Sequence, residues 1–186
     1  SDLTALCFLI IDKEGKYHFK LHYYLPESAL KEKTDKELYK YWRSQGILTV
    51  TSGNVTDYDY ITKDIKAASK IVNIRKIYYD SWNSTQWAIS STEQGLPLEP
   101  YSQTIGNFNK PTRELERLIL ANNAVIDNNE ITRHCFRNVV LKSDHNGNVK
   151  PKKQIEGKKI DGVIAMIMAL GGYLTNPRYT NRIIVI

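Results

Sequence analysis

Lys159-Ile-Asp-Gly-Val-Ile-Ala-Met-Ile-Met-Ala-Leu-Gly-Gly172 reads as a helix that is apolar almost all round. Such a helix is covered on every side rather than along one stripe. Its longest apolar run, Val163 to Leu170, is far short of the roughly 20 residues that span a bilayer, so the segment belongs in a protein core. One carboxylate, Asp161, opens it. Upstream, Lys76-Ile-Tyr-Tyr-Asp80 reads as a short buried strand that ends on a second acid. Burying either acid is costly without a compensating positive group. A divalent cation between the two is the most economical one.

The rest of the chain is consistent with one domain that has a real core: 186 residues, 41% of them hydrophobic. Mean hydropathy is -0.43, and no basic-then-apolar leader opens the sequence. Cys7 and Cys135 sit in apolar contexts without CxxC spacing, which predicts buried thiols and an intracellular setting. Net charge is +6, a modest excess that suits a polyanion without requiring one. Its distribution is more telling. Lys142, Lys150, Lys152, Lys153, Lys158 and Lys159 crowd into the stretch before Asp161, which makes either a solvated hairpin or a phosphate-binding surface.

Leu3 to Ile11 reads as a buried strand, Asp12 to Gly15 as a turn, and Tyr17 to Leu25 as an alternating, half-buried return strand. On that strand His18, Lys20, His22 and Tyr24 fall on the polar face, with the two histidines well apart. A helix starts at Thr34-Asp35-Lys36-Glu37 and stops at Gly46, and a short strand follows at Ile47 to Thr51. Thr56 or Asp57 caps the next helix, with Ile61, Ile65, Ala68 and Val72 as its buried stripe. After the Asp80 strand come a helix from Asn83 to Gln94 and a strand from Leu96 to Ser102. Pro111 marks a helix start, with Leu115, Leu118 and Ile119 buried. Asn146-Gly147 turns a hairpin between Asn138–Lys142 and Asn148–Lys152. This order predicts a mixed α/β domain with helices on both faces of one sheet. Residues 1–175 form the domain, and 176–186 a tail or extra strand.

Two carboxylates brought together repel, so one is protonated unless a cation or base intervenes. Mg²⁺ or Mn²⁺ accepts oxygen ligands and keeps both ionised. Two such ions about 4 Å apart activate a water and stabilise the leaving oxygen of a phosphodiester. Plainer readings stand beside this one: Asp80 as a helix cap, and Asp161 as an acid on a helix dipole. No GxxxxGK[ST], GxGxxG or GxSxG occurs, and the cysteines lack a plausible triad.

Several stretches, in order and spacing, carry a resemblance. They are Asp2-Leu-Thr-Ala-Leu6, Tyr24-Leu-Pro-Glu27, Trp42 to Asn54, Asp57-Tyr-Asp-Tyr-Ile61 and Tyr79-Asp-Ser-Trp-Asn83. Glu114 to Ile119, Asn138 to Asn148 and Lys159 to Leu170 complete the set. The chain resembles the C-terminal nuclease domain of the phage terminase large subunit. That resemblance implies an RNase H-like fold and metal-dependent cutting of concatemeric double-stranded viral DNA in the host cytoplasm by a two-metal-ion mechanism, with two Mg²⁺ or Mn²⁺ ions. It implies Asp80 and Asp161 as the second and third catalytic acids and metal ligands, with Asp2 and Asp144 near the metals. Lys142, Lys150, Lys152 and Lys153 would contact DNA. In the whole family protein it implies an N-terminal ATPase domain, a terminase small subunit and a portal as partners, and no membrane.

The resemblance also places a central strand bearing a first catalytic acid before the Asp2 segment. Two expectations follow: either this chain is part of a longer one, or Arg182 to Ile186 fills the slot without supplying an acid. The alternatives to a terminase nuclease are another RNase H-like nuclease, such as a junction resolvase, and a catalytically incomplete DNA-docking module.

Overall fold

In the computed structural model, residues 3–32, 35–176 and 183–185 are described. The elements run β1 (Thr4–Ile11), β2 (Tyr17–Pro26), α1 (Ala29–Glu32), α2 (Lys36–Ser44), β3 (Thr49–Thr51), α3 (Tyr58–Ser69), β4 (Lys76–Tyr79) and α4 (Ser81–Glu93). Then come β5 (Leu98–Pro100), α5 (Ile105–Leu120), β6 (Ala124–Ile126), α6 (Glu130–Asn138), β7 (Val139–Ser143), β8 (Val149–Lys153), α7 (Asp161–Thr175) and β9 (Ile183–Val185). Among the described residues the main sheet has the order β3-β2-β1-β9-β4-β5, with β6 also on β2. β7 and β8 form a separate two-stranded ribbon.

The first hairpin is antiparallel, with Thr4 opposite Tyr24 and Ile11 opposite Tyr17. β4 and β5 run parallel. Between the two halves lies β9, antiparallel to β1 and parallel to β4. The end of the chain is therefore a strand inside the sheet, in the slot considered for Arg182 to Ile186. Arg182, Ile186 and residues 177–181 lie outside the described residues.

Helices cover both faces. On one, α7 packs with α5, α6 and α2 over Cys7, Leu9, Leu21 and Tyr23. On the other, Ile61 and Ile65 of α3 close over Leu6, Phe8, Tyr24 and Ile77. This second layer corrects one expectation. Tyr24 is fully buried because α3 lies over it, and its hydroxyl donates to Asp64 Oδ2 at 2.5 Å. The two histidines each meet a different carboxylate: His18 lies 2.7 Å from Asp12, and His22 lies 3.7 Å from Asp64. Both cysteines are buried free thiols.

Three further expectations are corrected. Pro111 lies inside α5, which starts six residues earlier with Thr104 as its N-cap. A proline cannot supply the N–H that the carbonyl four residues back expects, and Asn107 O instead accepts from the Tyr101 hydroxyl at 2.9 Å. Ile119 is 41% exposed rather than buried, because it lies on an open apolar groove that α5 shares with Val163 and Ile167 of α7. α3 ends at Ser69, so Val72 lies beyond it.

α7 sits close to the sheet because it presents small residues there. A Cβ at Gly162 would fall 2.1 Å from the Tyr23 hydroxyl, and one at Gly172 would fall 2.0 Å from the Tyr78 ring. Both tyrosines are buried, so neither ring has room to yield. Gly172→Ala gains about 1 kcal/mol of helix propensity but overpacks the core by about 1–3 kcal/mol. Its urea midpoint is expected to fall below that of the native chain. A rise would mean that α7 lies farther from Tyr78 than described.

Candidate metal centre

The two acids reach the same place by different routes. β4 ends at Tyr79, and the chain passes through Asp80 into α4, putting the acid at the strand's carboxyl end. Asp161 is the first residue of α7, beside the start of β1. Both line one cavity of about 130 Å³, together with Thr4, Tyr58, Ser84 and Gln103 and an apolar wall that includes Ile164, Ala165 and Met168.

Asp161 is partly buried as a residue, but its Oδ2 is wholly buried and has no hydrogen-bond partner. Burial pushes its carboxyl above the usual carboxylate range. The neighbouring backbone amides and the charges of Lys159 and Lys153 pull the other way without prevailing. Lys159 is itself buried, and burial draws its ammonium down while Asp161 holds it up. An orphaned carboxylate oxygen on an acid that shares a small cavity with a second acid is a donor set that fits Mg²⁺ or Mn²⁺. Mg²⁺ is commonly held by one or two carboxylates and keeps several waters. Among the described residues, no three or more His, Cys, Asp or Glu side chains gather as a metal cluster.

The other expected site residues are scattered. Asp2 lies outside the described residues. Asp144 does not line this cavity. Its carboxylate is committed to its own turn, accepting from the Asn146 and Asn148 amides and from the Asn148 side chain, each at 2.9 Å. The Asn148 side chain and those amides hold its pKa below the usual value.

The lysines expected to act together divide in two. Lys142 stands opposite Lys150, and Val140 opposite Lys152, so strand alternation puts Lys142, Lys150 and Lys152 on one face of the ribbon and Lys153 on the other. Lys150 Nζ donates to Gln103 O at 2.7 Å, and Gln103 lines the cavity. Sequence reasoning missed Thr4, Tyr58, Ser84 and Gln103 as cavity residues. The Asp57 cap signal located Tyr58 at a helix start, but no pattern in the sequence aims its side chain.

Comparison with known proteins gives a consistent result. The family model for the terminase large subunit, endonuclease domain, matches residues 1–176. Protein YmfN of Escherichia coli (strain K12) is 35% identical over 137 residues, which is 73% of this chain and 30% of that protein. The terminase large subunit of Enterobacteria phage HK97 is 28% identical over 175 residues, 92% of this chain and 35% of that protein. The chain thus spans about a third of the length of the curated relatives it matches. The crystal structure of the HK97 bacteriophage large terminase superposes with a TM-score of 0.82, covering 92% of this chain and 36% of that one at 28% identity. The large terminase nuclease of thermophilic phage G20c shares the fold at 18% identity and a TM-score of 0.51, over 63% of each chain. The fold is RNase H-like, as the resemblance implied.

The raised carboxyl of Asp161 has a definite sign. An acid whose folded pKa lies above its unfolded value, near 3.8, favours the folded state at low pH. That contribution is lost as pH rises through the folded value. In EDTA at neutral pH, Asp161→Asn is expected to raise the urea midpoint above the native chain's, and the gap should close below pH 4. A lower midpoint for the variant at neutral pH would mean that Lys153 and Lys159 compensate Asp161 fully.

Proposed function

The chain belongs to the terminase large-subunit endonuclease-domain family, and from that premise we propose that it hydrolyses phosphodiester bonds of double-stranded DNA at the Asp80–Asp161 cavity with Mg²⁺ or Mn²⁺. The observation that carries this reading is the buried, partnerless Oδ2 of Asp161 on the same cavity as Asp80. When bound there, one or two divalent ions lower the pKa of a water and stabilise charge on the leaving oxygen.

The chain's own residues set the conditions for that chemistry. Asp80 and Asp161 hold hard oxygen donors on one cavity, and the apolar wall from α7 keeps bulk water from that side. Lys153 adds positive charge near Asp161 from the inner face of the ribbon. Lys142 and Lys152 offer ammonium groups on one face of the ribbon, suited to phosphates rather than to bases, while the Lys150 ammonium is turned to Gln103 at the cavity rim. The biological substrate in this proposal is concatemeric viral DNA in the host cytoplasm. The ATPase region, small subunit and portal of a packaging machine are its partners there. No helix among the described residues is long and apolar enough to cross a membrane.

One observation favours a second reading, a DNA-docking module without catalysis: among the described residues, only two acids meet at the cavity. Plasmid nicking separates the two. Cleavage is expected in Mn²⁺, with none in EDTA and none for Asp80→Asn or Asp161→Asn. Binding without Mn²⁺-dependent cutting would favour the docking reading. The ribbon has its own test. Replacing Lys142 and Lys152 with glutamine should weaken DNA binding and flatten its dependence on log salt by about 1 per lysine. An unchanged slope would remove the ribbon from the interface.

A further inference from the structure

The metal reading leaves Gln103 unused, and the loop that carries it is tied down from several sides. Gln103 lies between β5 and α5 and lines the cavity shared by Asp80 and Asp161. Its loop leaves the sheet where the Tyr101 amide donates to the Tyr79 carbonyl at 2.8 Å. Asn107 Nδ2 donates to the Ser102 carbonyl at 2.9 Å. Thr104 Oγ1 accepts from the Asn107 amide at 3.3 Å as the cap of α5. Neutral hydrogen bonds to α5 thus fix the residues on either side of Gln103.

Gln103 itself is held by the ribbon. Lys150 Nζ donates to the Gln103 carbonyl at 2.7 Å, a charge-assisted bond and therefore stronger than a neutral one. The same ammonium stands 5.5 Å from the centroid of the Phe108 ring, which is fully buried, and the face of an aromatic ring attracts a cation. Lys150 thus has two partners that turn it inward. The Gln103 side chain runs along the α7 wall, where its Nε2 donates to Met168 Sδ at 3.8 Å, and Met168 lines the same cavity. A thioether sulfur is a weak acceptor. An anionic oxygen is a much stronger one, so a phosphate entering the cavity would take this donor from the sulfur.

We propose that the Gln103 side-chain amide donates to a non-bridging oxygen of the scissile phosphate, and that Lys150 is the positioning residue that holds Gln103 there through its backbone carbonyl. The inference rests on the phosphodiester hydrolysis proposed for this cavity. A donor aimed at an oxygen on which charge develops lowers the barrier without itself holding the metal. Lys150 then has a different task from Lys142 and Lys152, its neighbours on the same face of the ribbon.

The test measures single-turnover plasmid cleavage at saturating DNA and Mn²⁺, Mn²⁺ affinity by calorimetry, and the salt dependence of DNA binding. Gln103→Met keeps an unbranched side chain against Met168 and removes the donor, while Lys150→Met keeps the stem and removes the ammonium. Gln103→Met is expected to slow cutting by about 100-fold, the scale for losing one donor to a developing anion, with native Mn²⁺ affinity. Lys150→Met should slow it by about tenfold, the lower end for groups that orient others at a site, and leave the log-salt slope of binding at its native value. Lys150→Arg should restore most of that rate, because a guanidinium can donate to the same carbonyl. The double variant Gln103→Met/Lys150→Met should be no slower than Gln103→Met alone, since the tether then has no amide to aim.

Near-native cutting by Gln103→Met, with Asp161→Asn inactive, would overturn this inference and leave the metal site standing. So would weakened Mn²⁺ binding by Gln103→Met, or losses that multiply in the double variant. Native-rate cutting by Lys150→Met, with a slope flattened by about 1, would make Lys150 a phosphate contact and overturn its positioning role. A native chain that does not cut in Mn²⁺ would overturn both this inference and the reading it rests on.

Discussion

An acid at the head of a helix that the core surrounds is the constraint around which this molecule is arranged. Asp161 opens α7, which packs against β1, α5 and the sheet tyrosines. It cannot be fully satisfied where it stands, since one oxygen has no partner and burial raises its pKa. An acid held in a cavity at that cost is a candidate functional group.

The surrounding architecture serves that placement. Glycines in α7 let Tyr23 and Tyr78 lie against its backbone, which brings its first turn up to β1. The parallel β4 strand delivers Asp80 to the same edge. β9, between β1 and β4, joins the two halves of the sheet whose ends form the cavity. The basic ribbon packs against α5 and touches the cavity rim through Lys150 and Gln103. A polyanion lying along its outer face would therefore approach the acids.

Much of this was legible in the residues. The all-apolar run after Asp161, the strand before Asp80 and the Asn146-Gly147 turn announced themselves by periodicity and turn chemistry. What was not legible depended on tertiary partners. Pro111 reads as a helix start because its lost hydrogen bond is normally costly inside a helix, and no pattern shows that Tyr101 supplies a replacement. Tyr24 alternates like a polar-face residue until α3 covers it. Helix α1, strand β6 and helix α6 went unrecognised, although Asn129 capping Ile131 was a usable start signal for α6. The resemblance put Asp144 near the metals, and in the structure the turn chemistry that marks the hairpin engages its carboxylate. Pleat register, which spacing along the chain does not show, separates Lys153 from the three lysines grouped with it.

The central claim is that Asp80 and Asp161 form one metal centre. Anomalous diffraction from crystals of this chain grown with Mn²⁺ tests it most directly. The account predicts an anomalous peak in the cavity within coordination distance of both carboxylates, absent from Asp161→Asn crystals. A peak at the Asp144 turn or elsewhere on the surface, with the Asp80–Asp161 cavity empty of metal, would contradict it.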